Sequence, residues 1–352
     1  MTRDAGAGAE GAGLVFPHAA APPEGGAVAV AEGVLWMRLP LPMALDHVNV
    51  YALDDGDGWT VIDTGLDSRR GRALWQAMLS GPLRGKALKR LVVTHYHPDH
   101  VGLAGWFQAQ GAELWTTRTS YLFARMLTLD VQDRPLPATA AFWRAAGMPA
   151  DEIARRMAQR PFNFADVVAP IAPGFRRLRN GDRLAMGGRQ WTVRTGDGHA
   201  PEHATFWSDD GDLVIGGDQF LPRITPNLGV YATEPDADPV AEWVASCAAF
   251  MAHAGDGQTV LPGHHLPFAG LPRRLGEMIA HHHRTLDRLE AALSEPRTAT
   301  GCFDALYQRP IGPDEYILAL AEAVAHLNHL LQGGRATREK GTDGAWLWRR
   351  RG

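Results

Sequence analysis

The spacing of apolar residues changes period repeatedly along the chain, and each change marks an element. Residues 27–41 alternate and are rich in Val, Leu and Trp, which predicts a first strand. Residues 48–53 and 59–62 read as two more strands joined by the turn Asp54-Asp55-Gly56-Asp57-Gly58. Leu, Trp and Met then recur at helical spacing over 68–79. A short apolar strand follows at 91–93, a helix at 102–111 and a strand at 113–116. Strand and helix in alternation predict an α/β architecture. Residues 120–164 break the rhythm and read as a helical insertion carrying Met126, Trp143, Met148 and Met157. Strand character returns at 176–184, 190–194, 205–208, 213–216 and 259–261, with amphipathic helices at 238–252 and 272–293.

Beyond a linker at 294–300, residues 301–352 have their own pattern. A helix over 315–331 is stopped by Gly333-Gly334, and a hairpin pairs 335–339 with 345–349, a winged-helix-like arrangement. Residues 1–26 are rich in Gly, Ala and Pro and predict a disordered tail. They lack the basic and apolar regions of a signal peptide, and no apolar run is long enough to span a membrane.

Of the 352 residues, 45% are hydrophobic, which suffices for one large domain and a small one. The formal charge of −4 argues against a general nucleic-acid binder. With two cysteines, Cys247 and Cys302, a disulfide framework is not expected, and a cytoplasmic location is. Metal chemistry would have to rest on carboxylates and the 15 histidines.

The densest chemical signal is Thr94-His95-Tyr96-His97-Pro98-Asp99-His100, at the end of the apolar strand at 91–93. Alternate residues of an extended segment point the same way, so His95 and His97 can reach one cation together. The turn at Pro98 then presents Asp99 and His100 to a second. More ligands are offered where other short apolar runs end: Gly198-His199, Gly217-Asp218 and Pro262-Gly263-His264. Binding sites in open α/β sheets lie off strand ends.

These motifs, with Asp63 in Val61-Ile62-Asp63-Thr64-Gly65, resemble in order those of the metallo-β-lactamase-fold superfamily, over roughly residues 27–270. The C-terminal segment resembles the winged-helix-like tail of the subgroup related to lactamase-beta-like endoribonucleases. The resemblance implies an αββα sandwich bearing the helical insertion and the small C-terminal domain. It implies that His95, His97 and His199 hold one divalent ion and Asp99, His100 and His264 a second, with Asp218 bridging and Asp63 hydrogen-bonded behind the metal histidines. Imidazole and carboxylate suit Zn²⁺, with Fe or Mn as alternatives. Gly198-His199-Ala200-Pro201-Glu202-His203 departs from the Gly-His-Thr-x-Gly-His of glyoxalase-II-like members, which weakens a glutathione thioester as substrate.

The expected activity is hydrolysis of an ester, thioester or lactone in a small to medium substrate by metal-activated water, with Asp99 as the catalytic carboxylate. Water bound to such ions has its pKa lowered to about 7. Alternatives are cleavage of RNA phosphodiesters, disfavoured by the charge, and iron oxygenase or redox chemistry on the same fold. Tyr96, Arg223, Asn227 and His265 are candidate substrate contacts, and His203 is placed near the ligands. His281-His282-His283 lie about 100° apart on a helix, cannot share one ion and are expected at the surface. Arg349-Arg350-Arg351 reads as a solvated tail. The C-terminal helix has no Lys or Arg, so packing or a homodimer contact is favoured over nucleic acid there.

Overall fold

A computed structural model describes residues 13–43 and 45–352. The first sheet takes β1 (Val28–Ala31), β2 (Val34–Pro40), β3 (His47–Asp54), β4 (Trp59–Ile62), β5 (Leu88–Val92), β6 (Glu113–Thr117) and β7 (Arg176–Leu178) in sequential order. Pairing is antiparallel from β1 to β4 and parallel from β4 to β7. The single strand predicted over 27–41 is two strands reversed at Glu32-Gly33. The second sheet holds β8 (Arg183–Met186), β9 (Arg189–Gly196), β10 (His203–Ser208), β11 (Leu213–Gly217) and β12 (Thr259–Pro262), in the order β12-β11-β10-β9-β8. A separate hairpin pairs β13 (Ala336–Lys340) with β14 (Trp346–Arg350).

The helices are α1 (Arg69–Ser80), α2 (Pro98–Val101), α3 (Ala104–Gln108), α4 (Arg118–Leu129), α5 (Pro137–Ala145), α6 (Ala150–Met157), α7 (Pro239–Met251), α8 (Leu271–Ala292), α9 (Phe303–Tyr307) and α10 (Tyr316–Gln332). Strand alternation sorts side chains into layers. On β3, Val48, Val50 and Ala52 pack outward with Trp75 and Met78 of α1 and Phe107 of α3. Tyr51 and Leu53 of the same strand face Trp191, Val193 and Phe206 of the second sheet. The far side of the second sheet, through Trp207, Val214 and Val260, packs on α7, α8 and α10. The result is helix, sheet, sheet, helix, as the sandwich reading expected.

Three expectations are corrected. Residues 1–12 of the expected tail lie outside the described residues, but 13–26 are ordered against the body: Leu14 is buried and Val15 pairs with Ala269. The expected linker at 294–300 is tied to the hairpin, Arg297 and Trp348 exchanging backbone bonds of 2.9 and 2.8 Å. Arg349 and Arg350, read as a tail, belong to β14. The C-terminal segment packs closely on the sandwich. The middle of α10, from Ala319 to Asn328, is buried, and the helix shares one core with α7 and α8. No helix among the described residues is long and apolar enough to cross a membrane.

Candidate metal centre

Chain direction alone brings the motifs to one edge. β4 and β5 are parallel, so Asp63 and Thr94-His95 leave the first sheet side by side. In the second sheet β9, β11 and β12 share a direction, so His199, Asp218 and His264 leave beside one another. The sheets are joined there: Ala204 donates to the Thr94 carbonyl at 2.8 Å and Asn49 to the Gly263 carbonyl at 2.7 Å.

The ligand atoms form three overlapping groups: His95, His97 and His199; His95, His100 and Asp218; Asp99, His100 and His264, with the atoms of each group within 4.8 Å of one another. Asp218 lies between the sets. Its Oδ2 is 3.5 Å from His199 Nε2, while Oδ1 is 3.4 Å from His100 Nε2 and 3.3 Å from His264 Nε2. Asp99 Oδ2 is 3.3 Å from His264 Nε2 and 3.5 Å from His100 Nε2. His95 Nε2 faces His97 Nδ1 at 3.0 Å.

The Nε2 atoms of His100, His199 and His264 and Oδ1 of Asp218 are buried without a hydrogen-bond partner. Orphaned donors and acceptors are costly in a protein interior unless something is held between them. Converging lone pairs of imidazole and carboxylate are what a divalent cation requires, so the residues fit such ions.

The opposite ring nitrogens are anchored. His264 Nδ1 bonds the His47 carbonyl at 2.7 Å, His199 Nδ1 the Asn227 carbonyl at 2.9 Å, and His100 Nδ1 the Asp63 carboxylate at 2.8 Å. A carbonyl acceptor fixes the tautomer with its proton on Nδ1 and aims the Nε2 lone pair inward. Asp63 has a left-handed backbone (φ 60°), unusual for a non-glycine residue, and also accepts from Thr94 N and Oγ1 at 2.8 Å each. Asp63 therefore stands behind His100 and beside Thr94.

Burial, reinforced by the neighbouring histidines, holds His95 and His97 well below the ordinary histidine value, so both are neutral. Burial also opposes charge on His264, yet Asp218 and Asp99 outweigh it and lift this residue to about 9. A cation there competes with a proton for the same lone pair. The side chain of Asp99 is 18% exposed and that of Asp218 2%, so Asp99 is the carboxylate on the open side.

The candidate substrate contacts scatter. Tyr96 is half-buried, with its ring 4.6 Å from that of His97 and 5.1 Å from Phe123. His265 is left-handed (φ 66°) and its ring lies edge-on to His47. Arg223 is exposed and lies over Phe16, and the Asn227 amide turns away to α10. His203 stacks on His95 at 4.6 Å and accepts from the Asp218 backbone N–H at 3.2 Å. Sequence reasoning missed His47, whose carbonyl holds His264, and Asn49, whose amide donates to the carbonyls of Pro262 and His265. The one signal for Asn49 is a polar residue in an otherwise apolar strand.

Residues 43–265 match the Metallo-beta-lactamase superfamily, and residues 286–351 match the Metallo-beta-lactamase-like, C-terminal domain. This chain belongs to the metallo-beta-lactamase superfamily. The crystal structure of a beta-lactamase domain protein from Burkholderia ambifaria superposes with a TM-score of 0.88 at 34% identity, covering 97% of this chain and 99% of that one. The probable metallo-hydrolase YqjP of Bacillus subtilis (strain 168) is 25% identical over 313 residues, 85% of this chain and 92% of that protein. An acyl-coenzyme A thioesterase of Gallus gallus is 25% identical over 246 residues, 67% of this chain and 78% of that one. Sequence and fold agree on the enzyme class, a metal-dependent hydrolase.

Proposed function

We propose that this superfamily member hydrolyses thioesters, or the related esters and lactones, of small to medium size, using two divalent ions, zinc by the nature of the donors. His95, His97 and His199 hold one, Asp99, His100 and His264 the other, with Asp218 shared. The observation that carries this reading is the placement of the two Asp218 oxygens against different histidine sets. Bound divalent ions supply Lewis acidity, bringing the pKa of water to about 7 and polarising a carbonyl oxygen.

The chain's own residues do the rest. Asp99, on the open side, orients the attacking water and accepts its proton. Asp63 and the His47 and Asn227 carbonyls keep the imidazoles aimed, and His203 fixes the Asp218 backbone. The thioester preference is supported by the relative from Gallus gallus and by the insertion. From Tyr96, rings continue to Phe123 and Phe164 (5.1 and 6.4 Å) and on to Phe162 (6.0 Å). Phe162 and, on α4, Leu122, Met126 and Leu129 are exposed. Apolar surface continuous with a reaction centre suits the acyl arm of a substrate. Cysteine usage supports a cytoplasmic location.

Elemental analysis with a substrate panel, on wild type and Asp99→Ala, tests the function. The wild type should carry two ions per chain and turn over thioesters, and the variant should lose at least one ion and turn over at least about a hundredfold more slowly. One iron per chain, or cleavage of RNA with no ester or thioester turnover, would overturn the reading.

A further inference from the structure

Between β11 and α7 the chain runs from Asp218 to Asp238 without strand or helix. Long segments of this kind need partners for their backbone groups. Here they come from the C-terminal part of the chain. Fully buried Arg274 of α8 donates to the carbonyls of Leu221 (2.7 Å) and Ile224 (2.9 Å). α10 holds the rest. The Asn227 amide donates to the Leu318 carbonyl (3.3 Å) and to Glu322 Oε2 (3.1 Å). Val230 donates to the Ala321 carbonyl at 3.1 Å, and the Asn328 amide to the carbonyls of Pro235 and Ala237, each at 2.9 Å.

Asn227 is the junction of this scaffold with the metal cluster, because its carbonyl accepts the Nδ1 proton of His199 at 2.9 Å. Glu322 is itself buried, and the hydroxyl of Tyr307 of α9, which bonds the Ala319 carbonyl at 2.8 Å, lies 3.3 Å from its Oε2. A carboxylate packed in the interior with the Asn227 amide and the Tyr307 hydroxyl against it has a defined place, and its position passes through the Asn227 side chain to the backbone that orients His199.

We infer that Glu322 and Asn227 are positioning residues for the ion held by His95, His97 and His199, so that α10 of the C-terminal domain completes the metal centre without touching it. Among the described residues, this ligand set is the one tied to α10 through such a bond. His264 and His100 are anchored by His47 and Asp63, both from the first sheet. The inference rests on the proposed two-metal reading and adds a dependence of one site, and not the other, on the C-terminal helix.

The test is chelator competition on the full-length protein, with the absorption of the cobalt-substituted form reporting each site's geometry. Asn227→Ala and Glu322→Ala should weaken one of the two ions by about ten- to a hundredfold and leave the other near its wild-type affinity. Glu322→Gln, which keeps an acceptor oxygen at the same place, should retain most of the binding. Leu327→Ala, which removes buried α10 packing away from Asn227, controls for general loss of stability. Equal weakening of both ions, or the same selective loss in Leu327→Ala, would overturn the inference, as would unchanged affinity in folded Asn227→Ala. A wild-type protein that binds no divalent ion would sink the metal-site reading itself.

Discussion

Gly263 leaves space that no other residue could leave. A Cβ there would collide with Asp218 Oδ1 and press on the His100 ring. Gly263→Ala should therefore remove at least one ion in elemental analysis while circular dichroism reports an intact fold. Asp63→Ala should weaken metal binding by about ten- to a hundredfold in chelator competition, because His100 Nδ1 and Thr94 both lose their acceptor. The residues whose ligand atoms converge were legible in the sequence as His and Asp placed where short apolar strands end. The residues that hold them were less so. His47 and Asn227 act through backbone carbonyls, which every residue has, so side-chain identity gives no warning.

At the scale of elements, α8 and α10 show where periodicity stops being informative. The triple histidine was rightly spread around a helix, but one of the three had to face inward. His282 is 1% exposed, 3.3 Å from His326 Nε2 of α10. Burial, together with the charges of His326, His281, His283 and His329, pushes His282 well below the usual histidine value. It is neutral in the fold and titrates near 6.5 when unfolded. The unfolded state therefore takes up the proton first, and stability falls as the pH drops below about 6.5. His282→Gln should flatten the fall in Tm between pH 7 and pH 5 relative to wild type. The insertion carries the second prediction at this scale. Phe162→Ser with Leu122→Ser should lower kcat/KM for long acyl thioesters several-fold and leave acetyl thioesters nearly unchanged, as a chain-length series would read out.

Over the whole molecule, the catalytic sandwich was visible in the sequence, and packing of the C-terminal segment was expected without the sequence showing which surface it covers. A helix with an apolar face followed by a hairpin looks independent when nothing shows what the face covers. In the fold, α10 packs against both α7 and α8 in one core, and Trp348 of the hairpin is fully buried. Removing residues 294–352 would expose that core. The truncated chain should be recovered as aggregate, or with an unfolding midpoint too low to measure, in thermal melts.

One property of the cluster bears on how a reaction would finish. Five neutral-type donors, His95, His97, His100, His199 and His264, surround only two carboxylates, Asp99 and Asp218. On the proposed two-ion reading, four positive charges would meet these two carboxylates and that of Asp63 behind His100, so the pocket would keep a net positive charge and attract anions. The proposed thioester cleavage would liberate one, the free carboxylate. Departure of that acid, more than arrival of the uncharged acyl group, would then set the pace, and added short-chain carboxylates should slow the enzyme in competition with substrate.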